Sequence, residues 1–246
     1  MKAIILAAGI GSRIKPLTDN CPKSLLKIGN KTILEMMISN IQECGIHEII
    51  FVVGYLKEQI IDHVTNRFPD LNTSFVTNDK YAETNTGYSL MLAKEFIRDS
   101  GFIKFDADVV FDKEILRKLI DCEHESCFCI DKNIDLDVEE IKVIVDEKNM
   151  ILKVNKTVNP KDAVGESIGI EKISKGTSKL LFNELDSMMR DKKNHQEYYE
   201  GAYERLIEKN VPFYALDITG LRWAEIDTHY DFEDQSRFVT AGEIPV

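Results

Sequence analysis

Long hydrophobic runs are absent from this sequence of 246 residues: no stretch approaches the roughly 18 apolar residues needed to cross a bilayer. The apolar N-terminal run is interrupted at residues 9–13 and lacks a small-residue cleavage site. We therefore expect neither a membrane span nor a signal peptide. Cysteines are few, with five at scattered positions and no CxxC pair, which disfavours a disulfide framework and a zinc site. We interpret them as reduced thiols of a cytoplasmic protein.

An excess of positive charge is also missing. The net charge of −11 argues against nucleic acid or a membrane surface as a partner. The charge is uneven, because residues 1–31 carry +5 and the other 215 residues carry −16. A local positive segment in an acidic protein suggests a small anionic ligand near the N-terminus, although an uneven solvated surface would give the same totals.

Two familiar phosphate-binding fingerprints are incomplete or absent. Gly9 and Gly11 follow an apolar run, but a dinucleotide-binding fingerprint needs a third glycine where this chain has Ile14. A Walker A motif is missing altogether. Gly9 and Gly11 alone fit an ordinary tight turn equally well. The neighbouring residues would nevertheless suit a phosphate group. The small residues Ala7 and Ala8 would let backbone N–H groups approach it closely, and Arg13 and Lys23 would donate hydrogen bonds to it directly.

The first half of the chain alternates short apolar runs with helix-length amphipathic segments. This order predicts a doubly wound α/β fold with a mixed, mostly parallel sheet. Ligands of such sheets lie at the carboxyl ends of the strands, where residues 9–13 and 106–108 are expected. The predicted strands span residues 2–7, 48–53, 73–77 and 101–105, and the predicted helices span residues 32–44, 56–68 and 88–98.

From about residue 125 the pattern changes to that of a smaller, more antiparallel α+β insert or lid. We expect a single domain, residues 1–246, with a core of residues 1–124, the insert at about 125–210 and a return to the core at 211–246. Predicted strands of this half span residues 126–130, 141–146, 151–154, 167–173, 213–217 and 222–226, and predicted helices span 178–190 and 197–208.

Three N-terminal motifs together are specific. Residues 6–13 (LAAGIGSR), 16–18 (PLT) and 22–26 (PKSLL) resemble the signature of the sugar-phosphate and choline-phosphate nucleotidyltransferase superfamily. The resemblance continues at residues 106–110 (DADVV) and 223–228 (WAEIDT), which match segments that supply metal-binding aspartates. It implies a Rossmann-like nucleotidyltransferase fold.

One further segment narrows the resemblance. Residues 83–90 (ETNTGYSL) are similar to the cytidylyltransferase branch, whose members include phosphocholine, 2-aminoethylphosphonate and inositol-phosphate cytidylyltransferases. The resemblance then implies transfer of CMP from CTP to a small phosphorylated or phosphonate acceptor, with release of pyrophosphate. Because the nucleophile is already an anion, positioning and electrostatics would supply most of the catalysis.

The resemblance also implies roles for individual residues. Arg13 and the loop at residues 9–12 would hold the leaving pyrophosphate, and Lys23 would lie by the α-phosphate. Asp108 and Asp227 would share one Mg²⁺, the implied cofactor. The expected nucleotide-binding residues are Leu6, Ala7, Ala8, Gly9, Gly11, Ser12, Arg13, Lys23, Thr84, Asn85, Ser89 and Asp106. The expected acceptor-binding residues are Lys156, Glu166 and Glu200.

Simpler interpretations stand beside these roles. Asp227 would also suit a helix N-cap, and Glu166 and Glu200 would also suit salt bridges or a helix surface. Three other functions remain open: a sugar-1-phosphate nucleotidyltransferase using UTP or TTP, a glycosyltransferase using Asp106 and Asp108 at a metal, and a non-catalytic nucleotide-binding subunit. The sequence does not identify the acceptor, and a homodimer is compatible with it.

Overall fold

The computed structural model describes residues 1–97, 100–133, 136 and 139–240. The strands of this part of the chain are β1 (Lys2–Ala7), β2 (Lys27–Ile28), β3 (Lys31–Thr32), β4 (Glu48–Val53), β5 (Asn72–Thr77), β6 (Phe102–Asp106), β7 (Val109–Phe111), β8 (Cys127–Asp131), β9 (Lys142–Val145), β10 (Ile151–Asn155), β11 (Gly165–Ile173), β12 (Tyr214–Asp217) and β13 (Trp223–Glu225). The α-helices are α1 (Ile33–Glu43), α2 (Lys57–Arg67), α3 (Thr86–Leu92), α4 (Lys94–Ile97), α5 (Lys113–Asp121), α6 (Lys175–Met189), α7 (Glu200–Glu208) and α8 (His229–Thr240).

A mixed sheet forms the centre of the molecule and confirms the predicted doubly wound fold. Its main order is β10-β9-β11-β6-β1-β4-β5, with β8 paired to β11 and β12 paired to β8. Strands β6, β1, β4 and β5 are parallel, whereas β11 runs antiparallel to β6, β8 and β9. The second half of the chain is more antiparallel, as predicted. Its strands extend the core sheet, and the division into core, insert and return segment stays a prediction.

Both faces of the sheet are covered by helices, which explains why β1 is a continuous apolar run. Successive side chains of a strand point to opposite faces. Ala3 and Ile5 pack with α1, α2 and α5 on one face, and Ile4 and Leu6 pack with α3, α6 and α7 on the other. The parallel strands therefore end together at one edge of a core that is closed on both sides. In the described part of the chain, no helix combines the length and apolarity that crossing a membrane would require.

Some helix boundaries differ from those predicted. The helix expected at residues 88–98 is two helices, α3 and α4, separated at Ala93, and residue 98 lies outside the described residues. Helix α3 begins early because the Asn85 side chain accepts a hydrogen bond from the Thr86 N–H and caps it. Helix α7 begins at Glu200, later than predicted, because a 3₁₀ turn, Lys192–Gln196, precedes it.

Helix α5 and strand β7 were not predicted. Asp112 caps α5 by accepting from the Glu114 N–H, and Ile115, Leu116 and Leu119 bury its apolar face. Strand β7 pairs antiparallel with β13, so that Val109 lies opposite Glu225. This short pairing brings two segments more than a hundred residues apart to the same edge of the sheet.

Candidate active site

A cleft of about 770 Å³ opens at the carboxyl ends of β1 and β6. All the residues expected to bind nucleotide, metal or acceptor line this cleft. They come from the first loop, the start of α3, the end of β6, the insert and the segment after β13. Their arrangement around one opening is a property of the fold, while their roles remain predictions.

One end of the cleft is built around Asp108 and Asp227. The Ile226 N–H donates to the Asp108 carbonyl oxygen at 3.0 Å, which extends the pairing of β7 with β13. Thr228, and not Asp227, caps the helix that follows, because Thr228 Oγ1 accepts a hydrogen bond from the Asp231 N–H at 3.2 Å. The Asp231 carboxylate accepts in return from the N–H groups of Asp227 and Thr228 at 3.1 and 2.7 Å. The Asp227 carboxylate is therefore left to face the cleft.

Two cations meet these carboxylates. Lys23 Nζ lies 2.5 Å from Asp108 Oδ2 and 2.6 Å from Asp227 Oδ1, and Arg13 Nη2 lies 2.5 Å from Asp227 Oδ2. Burial lowers the pKa of Lys23, but Asp108 and Asp227 outweigh it and raise that pKa above its usual range. Burial likewise raises the pKa of Asp227, and Lys23 and Arg13 reverse this to a net decrease. Lys23 and Asp227 are therefore both charged at neutral pH.

The loop that carries Arg13 is shaped by Gly11. Its φ of +65° is left-handed, and a Cβ atom there would lie 3.0 Å from Thr18 Cγ2 and 3.2 Å from Lys23 Cβ. Thr18 Oγ1 donates to the Gly11 carbonyl oxygen at 2.7 Å. Gly11 thus allows the turn to lie against the segment of Lys23. Around Gly9 a Cβ atom would meet open space, since this residue faces the cleft.

A third acidic side chain at this site, Glu225, is not among the predicted site residues. One oxygen atom each of Asp108, Glu225 and Asp227 lies within 4.8 Å of the others. Desolvation in the cleft, followed by the charges of Asp108 and Asp227, raises the pKa of Glu225 to about 9. In addition, Asp108 Oδ1 is buried and has no hydrogen-bond partner among the described residues. The carboxylate oxygens of Asp108 and Asp227 suit a hard divalent cation such as Mg²⁺, and the positive charge of such an ion would favour the ionised form of Glu225.

The predicted base-binding segment is held by Asn78, another residue that was not predicted. The buried Asn78 amide donates to Thr84 Oγ1 and to Ser89 Oγ, both at 3.0 Å. Asn85 caps α3 with its side chain. Thr84, Asn85 and Ser89 therefore have fixed side-chain positions where the helix begins at the cleft wall.

A second charged cluster at the cleft is a buried network that centres on Lys104. Lys104 is fully buried, and its Nζ lies 2.9 Å from Asp106 Oδ2 and 2.9 Å from Glu171 Oε2. It also contacts the Tyr199 hydroxyl group and lies 3.7 Å from the centroid of that ring. Tyr199 donates to Asp106 Oδ2 at 2.5 Å. Asp106 thus belongs to this network and contacts neither Lys23 nor Arg13 within the described residues.

Beside the network, Glu200 Oε2 is buried without a hydrogen-bond partner in the described part of the chain, although Glu200 lines the cleft. Burial and Asp106 raise the pKa of Glu200 to about 7, against the opposing effect of Lys104. Glu166 is also buried at the cleft wall. Lys156 Nζ lies 5.2 Å from the Tyr198 ring centroid and 3.5 Å from Glu139 Oε2. This part of the cleft therefore combines acidic groups, an aromatic face and one lysine, and it adjoins Arg13, whose Nη1 lies 3.6 Å from the same Glu139 oxygen.

Strand periodicity could have revealed two of the missed residues. Glu225 lies two positions before Asp227, and Lys104 lies two positions before Asp106. Residues two apart in a strand share a face, so each charged neighbour of a candidate aspartate was itself a candidate. Asn78 offered no such signal, because only the tertiary fold brings it to the cleft.

Comparison with known proteins identifies the family of this chain. A family model described as nucleotidyl transferase matches residues 2–150. A choline-phosphate cytidylyltransferase of Streptococcus pneumoniae is 45% identical over 117 residues, which cover 48% of this chain and 48% of the relative. The chain thus matches about half the length of that relative.

Longer matches cover nearly the whole chain. A CTP:phosphoglutamine cytidylyltransferase of Campylobacter jejuni is 32% identical, with 96% of this chain and 99% of the relative covered. The bifunctional protein GlmU of Methanococcus vannielii is 28% identical over 100% of this chain and 56% of its own. The solved CTP:phosphocholine cytidylyltransferase of S. pneumoniae superposes with a TM-score of 0.80 at 27% identity, over 97% of this chain and 98% of that one.

Proposed function

Because this chain belongs to the nucleotidyl transferase family, we propose that it transfers CMP from CTP to a small phosphorylated or phosphonate acceptor and releases pyrophosphate. It is an enzyme of the transferase class, and its relatives support the cytidylyltransferase branch. One observation carries the proposal: Asp108 and Asp227 meet Lys23 and Arg13 at the end of the cleft.

The proposed reaction needs positioning more than proton transfer. An acceptor oxygen attacks the α-phosphorus of CTP, the bond to the β-phosphate oxygen breaks, and pyrophosphate takes the electron pair. Lys23 donates to the α-phosphate, and Arg13 with the N–H groups of residues 9–12 holds the leaving group. These donors reduce the repulsion between two polyanions and stabilise the charge that develops on the pyrophosphate.

Magnesium is the proposed cofactor, and Asp108 and Asp227 would hold it, with Glu225 as an additional oxygen donor. The partnerless Asp108 Oδ1 and the three converging carboxylates support this assignment. When bound, the ion supplies positive charge that neutralises phosphate oxygens near the reacting centre. The chain's own part is to orient the carboxylates through the pairing of β7 with β13.

For the acceptor we propose a phosphorylated or phosphonate amine of the phosphocholine or 2-aminoethylphosphonate type. Lys156 would contact its phosphate or phosphonate group, and Glu200 and Glu166 would face its cationic head group. The buried oxygen of Glu200 that has no hydrogen-bond partner in the described residues supports this choice, because an ammonium head group could donate to it. The exposed Tyr198 adds an aromatic face that favours a cation.

The proposal is tested by measuring pyrophosphate release from the four ribonucleoside triphosphates and TTP, each paired with several acceptors. Phosphocholine, 2-aminoethylphosphonate, inositol 1-phosphate and glucose 1-phosphate cover amine, polyol and sugar head groups. We expect activity with CTP, a divalent cation and an amine acceptor. Turnover confined to UTP or TTP with the sugar phosphate would refute the cytidylyltransferase assignment.

A sugar-1-phosphate nucleotidyltransferase using UTP or TTP is the second candidate. Its support is the match to GlmU, which spans the full length of this chain. The segment at residues 83–90, which resembles the cytidylyltransferase branch, disfavours it. The same substrate matrix separates the two, because they differ in both nucleotide and acceptor.

We further propose a cytoplasmic enzyme that does not bind nucleic acid. The five cysteines, all in the described part of the chain, are free thiols there, as expected in a reducing compartment. The net charge of −11 opposes binding to a polyanion. A homodimer stays a prediction, and light scattering of the purified protein would test it.

A further inference from the structure

The candidate metal carboxylates are already in contact with the protein's own cations. Lys23 contacts Asp108 Oδ2 at 2.5 Å and Asp227 Oδ1 at 2.6 Å, and Arg13 contacts Asp227 Oδ2 at 2.5 Å. Three of the four carboxylate oxygens of this pair are therefore engaged in ion pairs. The fourth, Asp108 Oδ1, is the atom without a hydrogen-bond partner in the described residues.

A divalent cation and the Lys23 ammonium would compete for the same oxygens. Lys23 has a side-chain exposure of only 15% and bridges both aspartates, so its charge is held where a cation between the two would lie. Two positive charges a few ångströms apart repel strongly in a partly buried site. A metal can therefore use both carboxylates fully only after the ammonium has moved.

Phosphate groups would provide the alternative partner that Lys23 needs. Lys23 and Arg13 line the same cleft as the loop at residues 9–12. A triphosphate placed there offers anionic oxygens to both side chains. The exchange would replace carboxylate partners by phosphate partners and leave Asp108 and Asp227 for the metal.

We propose that Lys23 is a gatekeeper that excludes free divalent cations from the Asp108–Asp227 pair until nucleotide phosphates withdraw its ammonium. This inference rests on the proposed function for the identity of the metal ligands and the nucleotide. It assigns Lys23 a task besides transition-state stabilisation. The metal then enters with the nucleotide and does not bind first, which fixes an order of ligand binding.

The test measures binding of Mn²⁺ alone, without nucleotide, by the loss of its free electron paramagnetic resonance signal. Wild-type protein is expected to bind Mn²⁺ weakly. Lys23→Gln should bind it at least about tenfold more tightly, which corresponds to about 1.4 kcal/mol. Lys23→Arg keeps the charge and should behave as wild type. Lys27→Gln is the matched control, because Lys27 is exposed and does not line the cleft.

The variants also distinguish the effect of removing a positive charge from the effect of a disrupted fold. Circular dichroism checks folding, and Arg13→Gln provides a second arm if Lys23→Gln does not fold. Since Arg13 contacts a single oxygen of Asp227 and is 54% exposed, its loss should tighten Mn²⁺ binding by a smaller factor. Folded Lys23→Gln with unchanged affinity would overturn the proposal, as would Lys23→Arg binding as tightly as Lys23→Gln. With Lys23→Gln unfolded, unchanged affinity of Arg13→Gln would overturn it.

The Mn²⁺ affinities are independent of the pyrophosphate-release assay that tests the proposed function. An inactive wild-type protein would refute the cytidylyltransferase proposal while the Mn²⁺ measurements still decide whether Lys23 blocks the carboxylates. Conversely, full CTP-dependent turnover combined with tight Mn²⁺ binding by wild type would leave the function intact and remove the gatekeeper.

Discussion

Tyr199 donates a hydrogen bond of 2.5 Å to Asp106 across 93 positions of sequence, and so ties the start of α7 to the end of β6. Both residues line the cleft, and Tyr199 is only 3% exposed. The part of the cleft where we propose that the acceptor binds and the strand that leads to Asp108 are therefore joined by a hydrogen bond. Disturbing this contact should affect acceptor binding before it affects nucleotide binding.

We expect Tyr199→Phe to raise the KM for the acceptor several-fold and to leave the KM for CTP nearly unchanged. Loss of the hydroxyl group removes one donor from Asp106 and should lower the free energy of unfolding by about 1–2 kcal/mol. Steady-state kinetics and chemical denaturation measure the two effects. Tyr230→Phe is the control, because Tyr230 is 76% exposed. Equal changes in both KM values would contradict the prediction.

Glu171 should make stability depend on pH. Burial, with the charges of Asp106 and Glu200, raises the pKa of Glu171 to about 8 against the opposing effect of Lys104. The folded protein then holds a proton that the unfolded chain releases near pH 4.5. The contribution of Glu171 to the free energy of unfolding is therefore fully present below about pH 4.5 and decreases as the pH rises from about 4.5 to about 8.

Glu171→Gln should flatten that dependence, because the amide does not titrate. Denaturation midpoints of wild type and variant between pH 5 and 8.5 measure the difference, and the variant should gain relative stability at the alkaline end. Glu123→Gln is the control, since Glu123 is exposed. Parallel curves for wild type and Glu171→Gln would show that Glu171 is ionised throughout this range.

Neutralising either proposed metal ligand should abolish most activity. Asp108→Asn and Asp227→Asn each remove a charge from the carboxylate group, and we expect pyrophosphate release to fall at least about a hundredfold. Asp121→Asn, an exposed change at the end of α5, should retain full activity. Thermal denaturation establishes that the variants are folded. Full turnover by either variant would remove the metal-based mechanism.

Glu200→Gln should weaken the binding of amine acceptors and leave the binding of other acceptors nearly unchanged. The KM for phosphocholine or 2-aminoethylphosphonate, whichever is the better substrate, should rise about tenfold, and that for inositol 1-phosphate should change little. Because the pKa of Glu200 is about 7, wild-type affinity for a cationic head group should also fall as pH drops below 7. The exposed Glu208→Gln on the same helix is the control. An unchanged KM would place the head group elsewhere.

Asn78→Ala should loosen recognition of the base. Thr84 and Ser89 each lose a donor at 3.0 Å, so the start of α3 becomes less well fixed. We expect the KM for CTP to rise about tenfold and the preference for CTP over UTP to decrease. Asp79→Ala, at an exposed neighbouring position, is the control. A change in kcat without any change in nucleotide preference would argue against this role.

Local patterns predicted most of the fold. Strands β1 and β4 have the predicted bounds, and α1 begins after Thr32, whose side chain forms a capping box with Glu35. The errors occurred where a cap was overlooked, as at Asn85 before α3 and Asp112 before α5. Both residues are among the preferred N-caps, so these two signals were present in the sequence.

The site was only partly predictable, for a physical reason. The motifs around Arg13, Lys23, Asp108 and Asp227 were recognisable as local strings. The pairing of β7 with β13, which brings Asp108 close to Asp227, depends on contacts over more than a hundred residues. The same holds for the position of Tyr199 beside Lys104. Local sequence does not encode such long-range contacts.

Strand β11 lines the cleft and joins two parts of the central sheet. Its residues from Ile170 onward are hydrogen-bonded to β6, whereas Gly165 and Glu166 pair with β9. The change occurs at Gly169, whose φ of +74° bends the backbone over Asp106, where a Cβ atom would lie 2.5 Å from Oδ2. A hinge motion that separated β9 from β6 would have to break backbone hydrogen bonds along β11. Turnover is therefore expected to proceed with an almost constant radius of gyration, and a new acceptor would be accommodated by exchanging side chains along a rigid frame.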